Sequence, residues 1–115
     1  MFDALDFLDL AKELKSATDE AKIRTSIGRA YYAAFLYARE WLRTKGWSIY
    51  DNKDDHYRVL DGLKKYKGRA LMDKMKSLRR DYRNEADYNL SMDFIEKDAS
   101  VAISLAQEVI KGCSS

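Results

Sequence analysis

The sequence predicts an all-α fold, a four-to-five helix antiparallel bundle, from three observations. The 115 residues contain no proline, so long helices run without a forced break. Apolar residues recur at steps of three and four, the period of a helix with one buried face. Ala, Leu, Lys, Arg, Asp and Glu dominate, a mixture that favours helices buried on one side and solvated on the other. The length fits a single domain over residues 1–115 with one core.

The first helix is predicted from about Asp3 to Lys15, with Phe7, Leu8, Leu10, Ala11 and Leu14 as its stripe. The second and longest runs from about Asp19 to Lys45. Ile23, Ile27, Ala30, Tyr31, Ala34, Phe35, Ala38, Trp41 and Leu42 share one face, and small residues at 28, 30, 33, 34 and 38 allow close approach of a neighbour. It is the expected central helix, and Gly46 is its stop. Residues 47–55 read as a loop in which Asp54 or Asp55 caps the next helix. That helix, about His56 to Tyr66, turns Val59, Leu60 and Leu63 inward, and Gly68 breaks it. A fourth spans about Arg69 to Tyr88 on Leu71, Met72, Met75, Leu78 and Tyr82. After a turn at Asn89 and Leu90, Ser91 is the expected N-cap of a fifth helix. Phe94, Ile95, Ala99, Ala102, Leu105, Ala106, Val109 and Ile110 form its stripe, and Gly112 ends it. Short connections predict antiparallel neighbours.

Composition excludes several chemistries. Five isolated glycines cannot build a phosphate loop, and one His with one Cys cannot build a zinc site. No cofactor or metal is expected. Cys113 makes no intrachain disulfide and, near a fraying end, is expected to be inert. The first residues lack a basic segment followed by an apolar stretch, and no apolar run approaches the ~20 residues of a membrane span. A cytoplasmic, membrane-free protein is expected.

The formal net charge is only +2, but the cations are unevenly placed. Lys67, Arg69, Lys74, Lys76, Arg79, Arg80 and Arg83 face only Asp73 and Asp81 within their stretch. Arg79, Arg80, Arg83, Asn84, Asp87 and Tyr88 crowd into ten positions, four-residue steps placing them on two adjacent stripes. Either this is a solvated face with an Arg83–Asp87 ion pair, or it is a polar site whose arginines hold phosphate through their planar forks.

Two runs carry a resemblance. Arg24-Thr25-Ser26-Ile27-Gly28-Arg29-Ala30-Tyr31-Tyr32-Ala33-Ala34-Phe35 resembles the second helix of the HEPN superfamily, in particular its small stand-alone prokaryotic members. Leu78-Arg79-Arg80-Asp81-Tyr82-Arg83-Asn84-Glu85-Ala86-Asp87-Tyr88 resembles a later segment of the same proteins, and His56 with Val59 and Leu60 matches the start of their intervening helix. The resemblance implies a helical bundle that dimerises. It also implies RNA or nucleotide as partner, and metal-independent endoribonuclease activity in many members. Toxin–antitoxin pairing with a minimal nucleotidyltransferase is a further implication. The family motif is Arg, then commonly Asn, Asp or His, then a His four to six residues after the Arg. Arg83-Asn84 supplies its first half, but Tyr88 stands where the His is expected.

The resemblance therefore implies Arg83, Asn84 and Tyr88 as catalytic candidates. Arg83 would bind the scissile phosphate, Asn84 orient it, and Tyr88 replace the His. Ser26, Arg29 and Tyr32, off the apolar stripe of the second helix, are candidate RNA- or nucleotide-binding residues together with Arg79, Arg80 and Asp87. A tyrosine is a poor base at its ordinary pKa of ~10. A non-catalytic dimeric module that binds RNA, a nucleotide or a partner protein is thus the alternative to an RNase toxin. A third reading is a purely structural helical dimer. His56 reads as a helix-start residue, with a place near the site of a dimer as the alternative, and Tyr31 reads as core.

Overall fold

A computed structural model describes residues 2–115. Helices α1 (Leu5–Leu14), α2 (Glu20–Thr44), α3 (Asp55–Lys67), α4 (Arg69–Ser77), α5 (Asn84–Tyr88) and α6 (Glu96–Ser114) form an all-α bundle, and no strand occurs among the described residues. A π-helical segment, Leu78–Arg83, joins α4 to α5. Backbone angles stay helical through both junctions, so α4, the π segment and α5 are one continuous rod. None of the helices is long and apolar enough to cross a membrane.

α2 is the central helix. Asp19 caps it, its carboxylate accepting from the Ala21 N–H at 2.8 Å. Ala30, Ala33, Ala34 and Ala38 are fully buried, which lets α1 and α6 pack closely against α2. Gly46 stops the chain with a φ of 79°, a conformation open to glycine at little cost.

Several boundaries differ from the sequence reading. Asp55, fully buried, does not simply cap α3. Its carboxylate accepts from the Tyr50 and Asp51 N–H groups and from Arg58, tying the preceding loop to the helix. Burial works against its ionisation, but these donors outweigh burial and hold its pKa below the usual carboxylate value. Ser91 does not start α6. The chain stays irregular to Ile95, whose N–H donates to the Asp98 carboxylate at 2.9 Å. Ile95 is consequently exposed, and Ile103 takes a core place instead. α6 runs past Gly112, where a Cβ would collide with Leu71 at 2.7 Å; the glycine serves close approach rather than termination. Cys113 therefore lies buried inside the helix, its thiol pushed up to about 11 by burial. Ser26, read as off the apolar stripe, is wholly buried. α1 covers that flank of α2, and the Ser26 hydroxyl donates to the Ala11 carbonyl at 2.6 Å.

Candidate functional site

The π segment sits where the arginines are. Asn84 N–H donates to the Arg79 carbonyl, five residues back instead of four, which widens the turn. Arg79 and Arg83 turn toward α2 and α3. Arg80 stays in solvent, its Nε 2.9 Å from Asp81 Oδ1.

Arg83 is the hub. Its side chain is 14% exposed, and three tyrosine rings surround the guanidinium carbon, Tyr31 at 5.6 Å, Tyr32 at 5.5 Å and Tyr88 at 5.9 Å. One terminal nitrogen donates to the Tyr32 hydroxyl at 3.1 Å and the other to Asn84 Oδ1 at 3.2 Å. Nε lies 3.0 Å from Asp87 Oδ2, near enough to pair as charges, but its N–H does not aim at that oxygen and makes no hydrogen bond.

Two further arginines approach the same aromatic floor. Arg29 places its guanidinium 5.1 Å from the Tyr32 ring and 4.9 Å from Phe7. Arg83 and Arg29 thus share the Tyr32 ring. Arg79 lies 5.3 Å from the Tyr57 ring. The Nε atoms of Arg29 and Arg79 are also buried without a hydrogen-bond partner among the described residues. A buried unpaired donor costs about 1–3 kcal/mol, more when charged. Three arginines thus hold buried Nε–H groups against tyrosine rings, and among the described residues Asp87, beside Arg83, is the one carboxylate paired with any of them.

Beside this floor, a shallow depression of about 160 Å³ is lined by Tyr57, Leu60, Lys76, Arg79, Arg80 and Asn84. Three cations, Lys76, Arg79 and Arg80, stand on its rim. A larger groove of about 760 Å³ lies elsewhere, between the start of α1 and the latter half of α2, and none of the three clustered arginines lines it.

The structure thus brings together Arg29, Tyr32, Arg79, Arg83, Asn84, Asp87 and Tyr88. It separates Ser26, which lies in the α1–α2 contact, and leaves Arg80 at the rim. Tyr88 is 72% exposed, with its ring beside the Arg83 guanidinium.

Two further residues belong to the site. Tyr31, read as core, is indeed buried, but its hydroxyl shares a hydrogen bond with His56 Nδ1. The His56 ring stacks on Phe35 at 4.4 Å and on Tyr31 at 5.6 Å. Burial and the charges of Arg79 and Arg83 push the imidazole down to about 4, so it is neutral near pH 7. Burial pushes the Tyr31 hydroxyl well above its ordinary value, while the same two arginines work against that. The pair therefore lies within the field of the arginine cluster. Sequence spacing gave no sign of this, since His56 stands 27 positions before Arg83.

Arg24 is the remaining organiser. Its guanidinium donates to the carbonyls of Ala86 and Asn89, both at 3.0 Å, and of Met92, and lies 4.9 Å from the Phe94 ring. It also pairs with Glu20, whose carboxylate accepts from the Phe94 N–H. The Phe94 N–H and the arginine hold Glu20 below the usual carboxylate range. This clamp fixes the end of α5 and hence the position of Tyr88.

The HEPN domain family profile matches residues 1–115. Two uncharacterized proteins of Methanocaldococcus jannaschii are similar. One is 37% identical over 109 residues, covering 78% of this chain and 65% of its own length. The other is 36% identical over 84 residues, covering 66% of this chain and 46% of its own. The chain thus spans less than two thirds of the length of these relatives. No solved structure matches. With the profile matched from end to end and an all-α bundle beneath it, the chain belongs to the HEPN domain family.

Proposed function

We propose that this protein binds RNA through its phosphates, with Arg83, Arg79 and Arg29 as the anion-holding residues. The observation that carries this reading is the set of three buried Nε–H groups without a hydrogen-bond acceptor, those of Arg29 and Arg83 at Tyr32 and that of Arg79 at Tyr57. A phosphate that enters the cluster would bring acceptor oxygens and negative charge to these guanidinium groups, in one or two bonds each. Asn84 orients Arg83, Asp87 limits its swing, and the exposed Tyr88 offers a face on which a base stacks. Lys76 and Arg80 extend the cationic track. The working unit is a homodimer, in which two such sites are presented together.

A second reading is a metal-independent endoribonuclease, the toxin of a nucleotidyltransferase pair. The closeness of Tyr88 to Arg83 favours it. In that reaction the RNA 2′-oxygen forms a bond to the adjacent phosphorus as the bond to the 5′-oxygen breaks. The 2′-proton passes to a base, the 5′-oxygen gains a proton, and Arg83 steadies the charge on the phosphoryl oxygens.

Fluorescence anisotropy with single-stranded RNA separates these readings from a purely structural role. Arg83→Ala is expected to weaken binding by about tenfold or more, with helical circular dichroism unchanged. Equal binding by variant and wild type contradicts the proposal. Cleavage that persists in EDTA and is lost in Tyr88→Phe supports the second reading. Intact RNA with undiminished binding leaves the binding module.

A further inference from the structure

His56 is placed as part of the anion site rather than as a packing residue. Its Nδ1 is engaged by the Tyr31 hydroxyl, and the Arg83 guanidinium lies 5.6 Å from the ring of that same tyrosine. The imidazole is only partly buried, so solvent protons reach it. Each element around it contributes a group. Tyr31 and Phe35 come from α2, with Arg39 over Phe35 but paired to Glu40. Arg79 and Arg83 come from the π segment. Asp55 precedes it in α3, already committed to Arg58 and two backbone N–H groups.

We propose that His56 is a protonatable member of the arginine site, neutral when the site is empty and charged when a phosphodiester occupies it. This rests on the phosphate-binding reading above. The physical argument is charge balance. With the site empty, a proton on His56 adds to the nearby guanidinium charges of Arg79 and Arg83. A bound phosphodiester brings a negative charge into the same space and offsets that repulsion. A charge added within ~7 Å at an effective dielectric of ~20 is worth about one to two pKa units. Binding therefore takes up a proton, and affinity falls as pH rises between the free and bound pKa values of His56, by up to about tenfold per pH unit. Tyr31 holds the ring in place for both states, since its hydroxyl can donate to neutral Nδ1 or accept from the protonated one.

The chain has a single histidine, so its imidazole resonances are unambiguous. The test is an NMR pH titration of the wild-type protein, free and saturated with 2′-O-methyl oligouridine. That probe cannot be cleaved through its 2′-oxygen, and its phosphodiester charge is constant over the range used. In the free protein, His56 should remain neutral down to about pH 4. With the probe bound, its pKa should rise by about one unit or more. Binding measured from pH 4.5 to 6.5 should weaken as pH rises in wild type and stay flat in His56→Asn. Saturated probe with an unmoved His56 pKa overturns the coupling and leaves phosphate binding standing. No binding of the probe at low salt overturns both.

Discussion

Arg83 and its neighbours show how single residues set the chemistry. Its guanidinium is held on three sides by Tyr32, Asn84 and Asp87, so its fork is ordered before any ligand arrives. Arg83→Lys keeps the charge but loses the fork, and should bind RNA nearly as poorly as Arg83→Ala; anisotropy compares the two directly. Asp55 sets stability instead. Removing its carboxylate leaves two loop N–H groups and Arg58 unmatched, so Asp55→Ala should cost on the order of 3 kcal/mol in urea denaturation. His56 adds a pH dependence. Its folded pKa lies below the unfolded value, so the unfolded chain binds the extra proton. Its contribution is complete above ~6.5 and declines as pH falls toward ~4. Over that window stability should drop by on the order of 2 kcal/mol after allowance for partial exposure. Stability that is flat from pH 7 to 5, or a His56→Asn variant with the same slope, contradicts this assignment. Arg83, Asn84 and Asp87 were legible in sequence because spacing and residue type coincide. His56, Tyr31 and Arg24 were not, because their partners lie far along the chain and are brought together only by packing.

At the scale of elements, the π segment is the feature that positions the site. A regular helix over residues 69–88 would keep Arg79, Arg83 and Asp87 on one stripe and Arg80 and Asn84 on the next. Across the widened turn Arg83 still pairs with Asp87, and Arg80 and Asn84 still line one depression, while Arg79 lies against Tyr57 and Arg83 against Tyr31 and Tyr32. Hydrophobic periodicity located the rod but could not reveal this, since Leu78 and Tyr82 fit either register. The start of α6 was misread for a related reason. Ser91 is a good cap by type, but Arg24 claims the carbonyls at 86, 89 and 92 and holds that stretch out of helix. Arg24→Ala should therefore speed hydrogen exchange across residues 89–95 while the amides of α2 and α6 stay protected. Uniform loss of protection through the bundle would show that the clamp is not local. Gly62 tests the seam between α3 and α2. A Cβ there would meet Leu42 at 2.8 Å and the Trp47 indole nitrogen at 3.0 Å. Gly62→Ala should cost about 1–3 kcal/mol despite its better helix propensity, as read by thermal unfolding.

At the scale of the molecule, a small bundle commits one end to charge and aromatic rings and the rest to packing. Its net charge of +2 gives no hint of that division; the local arrangement does. The exposed Tyr88 adjoins the arginine site, and HEPN domains often dimerise, so this end of α5 is the face to test for self-association. Sedimentation at tens of micromolar should show dimer, and monomer alone at that concentration would count against it. The measurement that bears most directly on the whole account is the salt dependence of single-stranded RNA binding by wild type and by an Arg79→Ala/Arg83→Ala protein. Each phosphate contact contributes about −0.7 to the slope of log affinity against log salt. The double variant should bind at least tenfold more weakly at low salt, with a slope shallower by about one to one and a half and helical circular dichroism unchanged. A folded double variant with the affinity and salt slope of wild type would show that phosphate does not bind at these arginines.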